Sequence, residues 1–275
     1  MRTPPGLDDK ILVSWNSLMI TAFAKGYRVT NNPKYLNAAK TCIAFIESNL
    51  FEDGKLLRTY KNGTAKIDGY LEDYSYFVNA LLDVFEIEPE PKYLKLALKL
   101  GHHLVNHFWD SENNSFFMTS DDHEKLIIRP KSNYDLSLPS GNSVSAFVML
   151  RLYHLSQEQN FLEIVTKILE SQAQMAAENP FGFGYLLNTI SIYLQKPVEI
   201  TIINTENSEI CKSLLTNYLP NSFMVTIQNS TQLENLSEFP FFAGKTFEDK
   251  TSVFVCKDFS CSLPLHTIDE INSHL

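Results

Sequence analysis

The stretch "NPKYLNAAK" at 32–40 returns as "EPKYLKLALK" at 90–99, and a looser copy, "QNFLEIVTK", begins at Gln159. Each copy opens a helix of one kind, with proline in the first turn of the two closer copies. In the first, an apolar stripe of Tyr35, Ala39, Ile43 and Ile46 backs onto a polar face of Lys34, Asn37, Lys40 and Glu47. Spacing of that kind predicts an outer helix with one side in water. Before each copy lies a segment apolar over most of its circumference: "SLMITAFA" at 17–24, "YFVNALLDVF" at 76–85 and "VSAFVMLRLY" at 144–153. Helices with so little polar surface are expected to be buried on nearly all sides. The alternation predicts helical hairpins over about 14–50, 70–109 and 140–179, with a further inner helix from Gly184. Self-similarity at this period means a mainly α fold, either a closed α/α toroid or an open solenoid.

After Pro197 the pattern changes. "PVEITII", "SFMVTI" and "TSVFVC" are β-branched or aromatic runs, with the helical "SEICKSLLTNYL" between the first two. The expectation is a helical domain over 1–196 and a small α/β appendage over 197–275.

A formal net charge of -9 argues against nucleic acid and anionic membrane as partners, since both need a basic surface. No apolar run reaches the length of a membrane span, and the N-terminus lacks the pattern of a secretory signal. Cys42, Cys211, Cys256 and Cys261 are few and scattered, which fits a cytoplasmic location better than a disulfide framework. Cys256 and Cys261 match neither CxxC nor a zinc knuckle, and no glycine-rich phosphate loop or GxSxG is present. The sequence therefore calls for no cofactor and no metal.

The predicted inner helices begin on unusually polar segments: "LDDKILVSWNS", "KIDGYLEDYSY" and "RPKSNYDLSLPSGNS". In a toroid the N-terminal ends of the inner helices share one rim of the central cavity. Asp8, Asp9, Trp15 and Asn16 are then expected to converge there with Asp68, Tyr70, Glu72, Asp73 and Tyr74, joined by Arg129, Ser140, Asn142 and Ser143. Carboxylates, amides, hydroxyls and aromatic faces in one concavity suit a sugar-like ligand. Capping alone accounts for much of "PSGNS", and ion pairing or a solvated loop would account for "LEDY" and "LDDK". Three such clusters at equivalent repeat positions favour a pocket. Glu72 and Asp73 are adjacent on a helix and diverge by about 100°, so Asp9 with Asp73 is the expected acid/base pair. His102, His103 and His107 are expected on the solvated side of an outer helix, with His123 in the "TSDDHEK" loop as the remaining candidate.

These motifs, with the ending "VFVCKDFSCSLPLHTIDEI", resemble the YyaL-like family, which also includes the eukaryotic spermatogenesis-associated protein 20. The resemblance covers nearly the whole chain, and the matched positions are Asp8, Asp9, Trp15, Asn16, Glu72, Asp73, Ser140, Gly141 and Asn142. It implies a thioredoxin-like domain followed by an (α/α)6 barrel similar to N-acylglucosamine 2-epimerases and six-hairpin glycosidases. This chain then corresponds to the C-terminal portion, a partial toroid from a truncated gene product or excised fragment. No redox activity carries over without the thioredoxin-like domain. The expected function is carbohydrate binding, or epimerase- or glycosidase-like catalysis by Asp9, Asp73 and Glu72. The alternative is a non-enzymatic helical scaffold that self-associates or pairs with the missing part of its barrel, and a third is an inactive remnant.

Overall fold

The computed structural model describes all residues except 1, 4, 125, 126 and 205–207. Three helical hairpins and a half follow the repeat. They are α1 (Val13–Thr30) with α2 (Pro33–Asn49), α3 (Leu71–Phe85) with α4 (Pro91–His107), α5 (Gly141–Ser156) with α6 (Gln159–Glu178), and then α7 (Gly184–Gln195). Local chemistry sets the joints. Asn31 takes the left-handed conformation, with φ of 52°, that ends α1, and the Asn32 side chain accepts from the Lys34 N–H to start α2 beside Pro33. The outer helices bury one stripe each, such as Leu94, Ala97, Leu100 and Leu104 of α4. Among the inner ones, α3 is buried at every residue except Glu72. Helix α1 departs from the expected all-round burial: Trp15, Met19 and Val29 are exposed, because α1 packs on α2, α3 and α8 (Glu209–Thr216) and its remaining side is open.

A small antiparallel sheet that the hairpin pattern does not announce packs against α1 and α3. In it β3 (Lys55–Lys61) pairs with β1 (Ile11–Leu12), β2 (Phe51–Glu52) and β4 (Thr64–Asp68). The β3–β4 turn is Asn62-Gly63, both at positive φ, the strongest short-range signal of a hairpin. A second ladder, β5 (Trp109–Asp110) with β6 (Ser115–Phe116), precedes a long irregular segment that leads into α5.

The C-terminal sheet has strand order β10-β9-β7-β8. Strands β7 (Val198–Ile203) and β8 (Ser222–Ile227) run parallel, joined through α8, whereas β9 (Ser252–Lys257) runs antiparallel to β7 and pairs with β10 (Ser260–Cys261). Short helices α9 (Ser230–Asn235) and α10 (Ile268–Asn272) complete it. Strand alternation gives this sheet two apolar faces. Ile203, Phe223, Val225, Ile227 and Phe254 belong to the core of the helical hairpins, while Ile200, Ile202, Met224, Val253 and Val255 share a second core with Leu214 of α8 and Ile271 of α10.

Polar ties reinforce the junction. The Thr226 N–H and hydroxyl donate to the Glu86 and Ile87 carbonyls at the end of α3 (3.0 and 2.9 Å), and His154 of α5 meets Glu199 of β7 at 2.6 Å. Beneath them Arg151 of α5 is 3% exposed and donates to Asp83 (2.9 Å), Asn79 (2.7 Å) and Glu86 (2.8 Å).

The cysteines correct the expectation drawn from their spacing. Cys256 and Cys261 stand opposite each other across β9–β10 and are joined by a disulfide. The turn between them, with Asp258 and Phe259 both at positive φ, is short enough to make that pairing. Cys42 and Cys211 are free thiols. Among the described residues, no helix is long and apolar enough to cross a membrane.

Candidate functional site

Helix α3 begins after Tyr70, and the side chain of Asp73 in its first turn folds back over the N-terminal end. The Asp73 carboxylate accepts from the Tyr70 N–H at 2.9 Å, from the Ser14 N–H in the first turn of α1 at 3.0 Å, and from Arg58 at 2.7 Å. It is fully buried, and burial pushes its carboxyl up against the opposing pull of Arg58. Arg58 also pairs with Glu72 at 2.9 Å and lies over the Tyr70 ring at 4.5 Å. One guanidinium thus divides the adjacent carboxylates: Asp73 faces inward, and Glu72, with 34% of its side chain exposed, faces out.

Helix α5 begins just as tightly. Ser140 caps it by accepting from the Ser143 N–H at 3.0 Å, and the two hydroxyls are 2.9 Å apart. Buried Asn142 accepts from the Phe116 N–H at 2.7 Å and donates to the Phe116 and Ser132 carbonyls, both at 3.0 Å. Asp135 accepts from the Ser140 N–H at 2.7 Å and, through its other oxygen, from the Tyr185 N–H at 2.8 Å, so one carboxylate sits at the starts of both α5 and α7. Gly141 has no room for a side chain, since a Cβ there would meet Leu71 at 2.8 Å.

Between the two helix starts lies a cavity of about 300 Å3. Its polar wall is Tyr70, Glu72, Ser132, Tyr134, Ser137 and Ser140, and its apolar wall includes Met118, Leu136 and Leu138. Among the described residues lining it, Glu72 is the one carboxylate.

The structure therefore gathers Tyr70, Glu72 and Ser140 at one concavity and sends the other expected residues elsewhere. Asn142 and Ser143 are fully buried behind the cap. Tyr74 is buried, its hydroxyl accepts from the Leu56 N–H at 2.9 Å, and burial pushes it up to about 12. Asp68 ends β4 opposite Leu57. Arg129 donates to the Thr119 carbonyl at 2.6 Å and covers the Phe117 ring. Asn16 binds the Leu12 carbonyl at 2.8 Å, and Trp15 is 64% exposed. Asp8 pairs with Lys10 at 3.3 Å and Asp9 with Lys61 on β3. The expected Asp9–Asp73 acid/base arrangement is corrected accordingly, because Lys61 and Arg58 hold the two carboxylates in separate ion pairs and Asp73 has no open face. Nothing in motif spacing singles out Arg58, Tyr134 or Asp135 as part of the site. The alternating "KLLRTYKNGTAKID" around its Asn-Gly turn is the signal that places Arg58 on a strand.

The histidines are less solvated than expected. His103 stacks on Tyr74 with ring centres 4.8 Å apart, and burial together with the neighbouring His107 pushes it down to about 4. It is therefore neutral in the folded protein at pH 7, whereas the unfolded chain takes up a proton near the ordinary value of 6.5. Stability is expected to fall as pH drops from 6.5 toward about 4, and His103→Phe to flatten part of that slope in thermal melts. An unchanged slope in the variant would refute the assignment.

No family model matches the sequence. Human spermatogenesis-associated protein 20 is 27% identical over 280 residues, which cover 96% of this chain and 36% of that protein. The rat protein of the same name is 27% identical over 275 residues, covering 94% and 35% respectively. The chain thus spans about a third of the length of the curated relatives it matches. Among solved structures, a cellobiose 2-epimerase from Bacillus thermoamylovorans superposes with a TM-score of 0.53 at 14% identity, covering 61% of this chain and 46% of the epimerase. A GH76 α-mannanase from Bacteroides thetaiotaomicron gives 0.51 at 17% identity over 78% of this chain and 59% of the mannanase. Identities this low speak for the fold alone. The chain is a relative of spermatogenesis-associated protein 20 that folds as part of the α/α toroid found in sugar epimerases and GH76 glycoside hydrolases.

Proposed function

We propose that the chain binds a carbohydrate in the cavity where α3 and α5 begin. The observation that carries this reading is the lining itself. Tyr70 and Tyr134 offer flat faces for a sugar ring, Ser132 and Ser137 offer hydroxyls, and Glu72 offers a carboxylate held in place by Arg58. The cavity lies beside the starts of two inner helices, in a fold shared with proteins named for action on cellobiose and mannan. Glu72 is the residue we assign to the ligand, as acceptor for a sugar hydroxyl or as proton-transfer group. Asp73 is a positioning residue that acts through Arg58, and Asp9 plays no direct part. Hydrolysis or epimerisation would require a second proton-transfer group opposite Glu72, so binding is the activity that this wall supports by itself.

A thermal melt with a panel of neutral sugars, sugar acids and amino sugars tests the reading. A sugar at about one hundred times its Kd raises the midpoint by several degrees, and Glu72→Gln abolishes the rise while leaving the ligand-free melt in place. No response to any sugar class would sink the proposal. A midpoint that climbs with protein concentration would instead support a scaffold that self-associates or pairs with further hairpins, which is favoured by the exposed Trp15, Met19 and Val29 on α1.

A further inference from the structure

Behind Tyr70, the C-terminal end of α4 meets the turn at 119–123. There His107 Nδ1 lies 2.8 Å from an Asp121 oxygen, and with a carboxylate oxygen of Asp122 it makes three donor atoms all within 4.8 Å of one another. The two segments are locked together beside these donors. The Asp121 N–H donates to the His107 carbonyl at 2.9 Å, and Arg129 donates to that same carbonyl at 3.0 Å and to the Thr119 carbonyl at 2.6 Å. Lys55 on β3 reaches Asp122 at 2.7 Å, placing one positive charge against two negative ones. The same turn carries a further imidazole: both His123 ring nitrogens are shut off from solvent and lack a partner among the described residues.

We infer that His107, Asp121 and Asp122 form a binding site for a divalent transition-metal ion of the zinc type, with solvent completing its coordination. One imidazole nitrogen and two carboxylate oxygens are a donor set that zinc accepts, at about 2.0–2.2 Å each. Such bonds place neighbouring donors about 3–3.5 Å apart, so the exposed Asp121 and Asp122 side chains must turn toward His107, and Asp122 must leave Lys55, for the site to close. Calcium prefers about six to eight oxygen donors and is disfavoured by the imidazole. The backbone lock provides the preorganisation that a metal site on a turn needs. Lys55 occupies the place of the cation's charge and competes with it.

The test is isothermal titration of ZnCl2 into the chelator-stripped full chain without sugar. The expected result is saturable uptake of one equivalent, weakened more than about tenfold by His107→Ala and by Asp121→Asn, and tightened about tenfold by Lys55→Ala. Metal-free melts of the three variants establish that each is folded. Unchanged affinity in either ligand variant, or weaker binding in Lys55→Ala, would overturn the assignment, as would the absence of saturable binding. None of these outcomes depends on whether the α3–α5 cavity takes a sugar.

Discussion

Asp73→Ala is expected to lower the free energy of unfolding by about 3–5 kcal/mol, measured as a drop in the urea midpoint at constant slope. The carboxylate is 0% exposed and serves donors from three segments: Ser14 in α1, Tyr70 at the cap of α3, and Arg58 on β3. Removing it leaves the buried Ser14 N–H and the part-buried Tyr70 N–H without this acceptor and removes a tie between the starts of two inner helices. Arg58 retains Glu72 and some solvent, with 20% of its side chain exposed, which moves the expected loss toward the lower end. Asp73→Asn keeps the shape and one acceptor and should cost roughly half as much. A loss under about 1 kcal/mol for Asp73→Ala would contradict the keystone role.

Arg151→Met is expected to cost a similar amount, about 3–5 kcal/mol at neutral pH. The arginine pairs with both Asp83 and Glu86 in the junction between α3, α5 and the C-terminal sheet, and Glu86 has one further, longer contact, with Arg28 at 3.8 Å. Burial already holds Glu86 above the ordinary carboxylate value against the pull of Arg151. Without the guanidinium that elevation grows, so the folded state binds a proton more readily than the unfolded chain. The variant should therefore recover stability as pH falls through the raised value, and its deficit against wild type should be smaller at acidic than at neutral pH. Neutralising all three groups together, as Arg151→Met with Asp83→Asn and Glu86→Gln, should restore much of the loss. A deficit that stays constant with pH would show that lost packing, not unpaired charge, causes it.

The hairpins were legible because helix period and start signals are local. Pro33 and Pro91 mark first turns, and the stripe from Tyr35 to Ile46 repeats at helical spacing. The exposed side of α1 is not legible in the sequence, because composition reports how apolar a helix is, whereas exposure depends on how many neighbours it has. The site was only half legible. Ser140 could be placed from capping chemistry, but Arg58 lies on a strand whose register decides that it falls between Glu72 and Asp73. Tyr134 and Asp135 belong to an irregular segment, and its path is set by hydrogen bonds to the starts of α5 and α7. The convergence of His107 with Asp121 leaves no spacing motif, since the β5–β6 ladder brings the chain back between them.

The two-faced C-terminal sheet bears on how such a chain can evolve. Phe223 packs against Phe147 and His154 of α5, and Phe242 packs against Phe85 of α3, so the segment after Pro197 forms part of the floor of the helical layer. An accessory module can be exchanged by recombination when it meets its host through a polar seam. Here a donor segment would have to match alternating aromatic and aliphatic positions, supply a hydroxyl where Thr226 caps the end of α3, and present a carboxylate to His154. Inheritance as one block is the consequence, with substitutions in α3 and α5 constrained to change together with those in β7 and β8.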